Sequence, residues 1–180
     1  MKRILLFAAL LCALPVGAEI VKTGTPCQTG ICLYWWPKLP AIKGWHQEVG
    51  PSQHYGANTL APDGSTFMDA ETVVYAKATY KPRVPEIKSI DALIAQDKRG
   101  FTKNIPGVVI TETKPLITGD GQKLRSLTFF PTSEGNWEQT AYGEEGDFFL
   151  LFTISSRTKS GYERSLSAFE DLIHAYKKKL

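Results

Sequence analysis

The sequence is short of the side chains that most often carry chemistry. Among 180 residues there are three cysteines, three histidines and two methionines. No apolar run reaches the roughly 18 residues of a membrane-spanning helix, so a helical span is not expected. Gly-x-Ser-x-Gly is missing, which disfavours acyl-transfer enzymes built on a nucleophile elbow. Gly119-Asp120-Gly121 lacks the later glycine and the strand-turn-helix setting of a dinucleotide site, and reads as a turn. An excess of one charge is missing too: 21 Lys and Arg stand against 18 Asp and Glu, a formal +3. That excludes a strongly basic nucleic-acid binder as the default.

What is present begins with a leader. Lys2 and Arg3 precede the apolar run Ile4 to Leu14, and Val16-Gly17-Ala18 supplies the small residues a signal peptidase reads. Residues 1–18 are expected to be an export signal cut after Ala18, placing the protein in the periplasm. Leu11 before Cys12 is too bulky for a lipoprotein signal. With Lys2 and Arg3 gone the net charge falls from +3 by two, to about +1. Cys27 and Cys32 survive processing. In an oxidising compartment that even count at close spacing predicts a structural disulfide, whose short loop contributes about 2 kcal/mol.

The remaining chain divides into an extended arm over 19–40, tied by the disulfide and ending in Tyr34-Trp35-Trp36, and a single domain over 41–180. Strands are expected over 44–49 and 54–60, then over 73–80, where Val74, Ala76, Ala78 and Tyr80 share a face. Ser89 caps a short helix with Gly100 beyond it. Further strands follow over 108–113, 122–130, 137–142 and 148–154, with Asp120-Gly121 as a primed hairpin turn. Phe148 to Ile154 is apolar on both faces, so both must be covered. The last helix begins at a Ser160–Glu163 capping box, carries Tyr162, Leu166, Phe169, Ile173 and Tyr176 on one stripe, and ends in Lys177 to Lys179. The fold class is α+β: an antiparallel sheet of about six to seven strands between helices, with an N-terminal arm.

Candidates for chemistry are few. His46, Glu48 and His54 could form part of a metal-dependent hydrolase site, but Gly50-Pro51 breaks their register. His174 is expected at the surface. Asp69 and Glu71 could be imagined as paired carboxylates, and Glu144, Glu145 and Asp147 lack the spacing of a calcium loop. The surplus of tryptophan points instead to binding: Tyr34, Trp35, Trp36 and Trp45 are the candidate binding residues, with Trp137 as core.

The order of features resembles the PsbP-like superfamily, the Mog/PsbP-type fold. The likeness rests on Pro40, Gly44 and Trp45 as a Pro-x-x-x-Gly-Trp entry, three strands, the helix at Ser89, Pro106-Gly107, a run of hairpins, and a terminal helix with Phe169 and Tyr176. The resemblance implies an antiparallel sheet packed between helices and non-catalytic work by contact; no functional residue transfers by matching. The expected function is an exported, non-enzymatic binding or accessory protein of the bacterial envelope: an assembly factor, adaptor or immunity-type inhibitor. It would act on another envelope or secreted protein, with no cofactor, no bound metal and no nucleic acid.

Overall fold

The computed structural model describes residues 19–28 and 30–178. The leader expected over 1–18, its cleavage after Ala18, and Lys179 lie outside the described residues. Strands β1 (Ile20–Cys27) and β2 (Gly30–Pro37) pair antiparallel from Ile20 opposite Pro37 to Cys27 opposite Gly30. The arm is thus a regular hairpin, with Cys27 and Cys32 disulfide-bonded near its tip at a Cα separation of 5.8 Å. This bond fits an oxidising compartment.

The next segment departs from expectation. Strand β3 spans Trp45–Gln47 and β4 spans Asn58–Pro62, but helix α1 (Val49–Tyr55) fills the gap, so His54 is helical. Pro51 stands in the first helical turn, where its missing N–H costs nothing and its fixed φ is already helical. Gly56 then ends α1 in the left-handed region at φ 60°. A Cβ there would also meet the Tyr34 ring at 2.3 Å, so the position requires glycine twice over.

Strands β5 (Thr72–Tyr80), β6 (Val109–Ile117), β7 (Lys123–Phe130), β8 (Trp137–Glu145) and β9 (Phe148–Ser156) follow, with helices α2 (Ile90–Asn104) and α3 (Lys159–Ala175). The nine strands among the described residues all join one sheet, more than the number expected because the arm contributes two. Its order is β1-β2-β5-β9-β8-β7-β6, with β4 beside β5 and β3 beside β4. Every pairing is antiparallel.

Strand β9 sits inside this sheet and is covered on both faces, as its composition requires. Leu150, Phe152 and Ile154 face one way, with Val74, Ala76 and Ala78 of β5, and pack against Phe169, Leu172 and Ile173 of α3. Phe149 faces the other way, into a cluster with Leu127, Phe129, Tyr142 and α2 residues Leu93 and Ile94. Eight large aromatic and aliphatic side chains of β7, β8 and β9, Phe149 and Phe152 among them, are at most 1% exposed. Burial on that scale contributes about 1.5–3 kcal/mol per large side chain.

Helix boundaries also differ in instructive ways. Ser89 caps α2 as expected, its side chain accepting from the Ala92 N–H at 3.2 Å. The helix runs through Gly100, however, because Phe101 beyond it stacks on Phe129 at 3.9 Å. For α3 the cap is Thr158, which accepts from the Gly161 N–H at 2.9 Å, in place of the expected Ser160 capping box. Glu163 instead approaches Lys159 at 3.7 Å. Tyr176 is the C-cap, fully buried, and Lys177 and Lys178 follow the helix end.

The β6–β7 connection spans Thr118 to Gln122, with the Gly121 N–H donating to the Thr118 carbonyl. Gly121 takes φ +84° while Asp120 keeps a negative φ, so this is not the primed two-residue turn. The reason is docking: the Gly119 N–H donates to the Tyr176 carbonyl at 2.8 Å, and a Cβ at Gly119 would meet the His174 carbonyl.

Candidate functional site

The aromatic residues singled out by sequence alternate along β2. Trp36 is buried at 8% exposure. Trp35 points to the same sheet face as its partner Ala78 and stacks on Tyr80 at 5.3 Å, with the Arg83 guanidinium 4.6 Å over its ring. Tyr34 lies against Gly56, and Trp45 is half-buried beside the α3-side core. Trp137, also half-buried, packs on Phe130 at 4.7 Å. Trp36 further lines a cavity of about 520 Å³ with Asn58, Gln47 and Lys38. Asn58 donates there to the Pro37 carbonyl, while its buried side-chain oxygen has no partner.

The histidines do not converge. His46 Nε2 lies 3.2 Å from Glu48 and Nδ1 lies 3.4 Å from Asp63, so both ring nitrogens face carboxylates. His54 stands in the last turn of α1, its ring edge-on to Tyr55 at 4.7 Å. His174 is exposed on α3. Among the described residues no three His, Cys, Asp or Glu side chains are placed to hold a metal ion.

Asp69 and Glu71 are not paired either. Asp69 accepts from the Thr66 N–H, which holds its carboxyl below the usual range. Glu71 accepts from the Thr158 hydroxyl, the larger cause of its lowering, and from Arg164. Both carboxylates fasten turns. Glu144 and Glu145, in the β8–β9 hairpin, bind Lys81 at 2.8 Å and the Tyr176 hydroxyl at 2.8 Å.

One concave site is a feature that sequence reasoning missed. It lies on the α2 face of the sheet, where α2 does not reach, and encloses about 500 Å³. Register builds its floor. Tyr75 pairs with Thr153, and Ser155 pairs with both Val73 and Glu138, which sets these side chains on the face that also carries Phe149. Tyr55 of α1 and Phe67 form a wall, their rings 5.5 Å apart, and the Tyr55 hydroxyl reaches Met68.

A polar chain crosses the floor. Asn136 Nδ2 donates to Ser155 Oγ at 3.0 Å, and Ser155 Oγ donates to Glu138 Oε1 at 2.7 Å. Burial pushes the Glu138 carboxyl above its usual range, with the Ser155 hydrogen bond opposing. Burial, and then the Glu138 charge, push the Tyr75 phenol up. Farther along the same face, burial raises Asp97 of α2, while a hydrogen bond with Tyr142 and then the Lys77 charge oppose it. Tyr142 beside it is also raised, by burial first and then by the charge and hydrogen bonding of Asp97.

The raised Glu138 and Tyr75, together in this cleft, mark a candidate site. The arrangement offers a ligand aromatic faces, one oriented carboxyl and an open mouth. The sequence held a signal for it: β9 is apolar until Thr153 and Ser155, and β8 brings Glu138 and Thr140 opposite those two residues. Comparison of the chain with models of known protein families and with curated proteins finds no match.

Proposed function

We propose that this chain is an exported, non-catalytic binding or accessory protein of the bacterial envelope, and that it binds through the cavity on the α2 face. The observation that carries the reading is the hydrogen-bonded Asn136–Ser155–Glu138 chain on the cavity floor. Ser155 donates to Glu138 and accepts from Asn136, a chain that fixes the orientation of the Glu138 carboxyl for a ligand. Around it the lining is chiefly ring and methyl surface, the usual makeup of a recognition pocket. The frame is read as PsbP-like on the sequence features from Pro40 to Tyr176, a likeness that implies work by contact.

A site-specific photo-crosslinker tests this in cells exporting the full chain. Placed at Met68 on the cavity rim, it is expected to yield a discrete adduct by intact mass spectrometry. The same group at Lys114, exposed on edge strand β6, should yield none. Equal labelling at both positions, or none at Met68, defeats the proposal.

A further inference from the structure

The geometry points to a small organic cation as the ligand of the α2-face cavity: a protonated amine on an aromatic body, its nitrogen paired with Glu138. This inference rests on the binding role argued above and names the chemistry of that same site.

Glu138 is the centre of the argument. Ser155 occupies Oε1, and among the described residues no hydrogen bond reaches Oε2. No ion pair among the described residues includes Glu138. The two cations that line the cavity are engaged elsewhere. Arg157 donates to the Met68 carbonyl, and its charge acts on Asp69. Lys77 acts on Asp97. In register, Lys77 stands opposite Leu151 and Glu138 opposite Ser155. Four residues of strand separate those positions, about 13 Å.

A carboxylate partly withdrawn from water without a counter-charge is costly, and among the described residues no ion pair supplies one. The Asn136–Ser155 chain nevertheless fixes its orientation, which is what a carboxyl needs in order to meet an incoming donor. Tyr55, Phe67 and Tyr75 surround the approach, and the faces of aromatic rings attract cations. An anionic ligand would face Glu138 with like charge. A neutral apolar ligand would seal Oε2 away from water unpaired. The volume, about 500 Å³, suits a single small molecule.

The experiment titrates phenethylamine, phenylacetate and benzyl alcohol, which share one ring, into the full exported chain, followed by amide NMR at neutral pH. Phenethylamine is expected to move the signals of Tyr75, Glu138 and Ser155 and to bind at least about tenfold more tightly than benzyl alcohol. Tenfold corresponds to about 1.4 kcal/mol for the added charge pair. Glu138→Gln should remove that advantage and leave benzyl alcohol unchanged; the dispersed spectrum of the variant reports that it is folded.

Phenylacetate binding as tightly as the amine overturns the inference, with or without a folded variant, and so does full retention of amine affinity in Glu138→Gln. Either result leaves the cavity a binding site. If no probe moves the cavity signals and the Met68 crosslinker stays silent, the binding role fails as well. A fourth probe, Nα-acetyl-lysine methylamide, separates sources of the ammonium group. Tighter binding of that probe than of phenethylamine would put the cation on a protein side chain and overturn assignment to a small molecule.

Discussion

Truncating β9 on each of its faces in turn tests whether two separate cores hold the sheet. Phe149 and Phe152 are 1% and 0% exposed and point to opposite faces, one toward α2 and the other toward α3. Removing either ring to leave alanine forfeits its transfer free energy and opens a cavity, together about 3–5 kcal/mol for a buried phenylalanine. For a chain of this size each kcal/mol lowers Tm by about 2–4 °C, so each variant should melt roughly 6–20 °C lower. Urea unfolding read by tryptophan fluorescence measures both, with the disulfide kept oxidised. The midpoint should fall in each variant at unchanged slope, the mark of lost stability in a two-state unfolding. A loss below about 1 kcal/mol for Phe149→Ala beside several for Phe152→Ala would refute the two-core account. It would mean that α2 merely rests on the sheet.

Thr158→Ala should cost about 1 kcal/mol by removing the α3 cap, whereas Ser160→Ala should stay within about 0.5 kcal/mol, both read from urea midpoints. Gly161→Ala pits helix propensity, about 1 kcal/mol in favour of alanine, against a Cβ placed 2.5 Å from Ser156 Oγ. The clash is expected to win, with a net loss of about 1–3 kcal/mol in the same assay; a gain would show that β9 yields easily. Replacing Cys27 and Cys32 together by serine should remove about 2 kcal/mol, because the bond closes only a short loop.

Glu138 predicts a pH effect. Its folded carboxyl titrates above the unfolded one, so the folded state holds the extra proton and stability falls as pH rises through the interval between them. Glu138→Gln has no such charge to bury. The variant should match the wild type at pH 4 and gain on it as pH rises, then hold a constant lead near neutrality. Tyr75, Lys77, Arg157 and Asp97 face the same cavity or its border and are unchanged in the comparison. A lead that shrinks with rising pH contradicts the assignment.

Local chemistry made much of this fold readable. The unbroken apolar stretch of β9 required two covers, and α2 and α3 provide them. Val74, Ala76, Ala78 and Tyr80 do share a face, and Ser89 does cap α2. Elements whose outcome depends on distant partners were not legible. Helix α1 was missed because Gly50-Pro51 looks like a break until Tyr34 claims the space beside Gly56. The extension of α2 past Gly100 depends on Phe129, contributed by β7. The cavity was hidden for the same reason: Tyr75, Glu138 and Ser155 come from three strands, and only register makes them neighbours.

The placement of β9 also bears on when the chain can fold. Its neighbour β5 ends at Tyr80, whereas β9 itself begins at Phe148, close to the C-terminus. The middle of the sheet therefore cannot zip up until the long stretch between these two strands has been bridged, and such distant pairing makes for slow acquisition of structure.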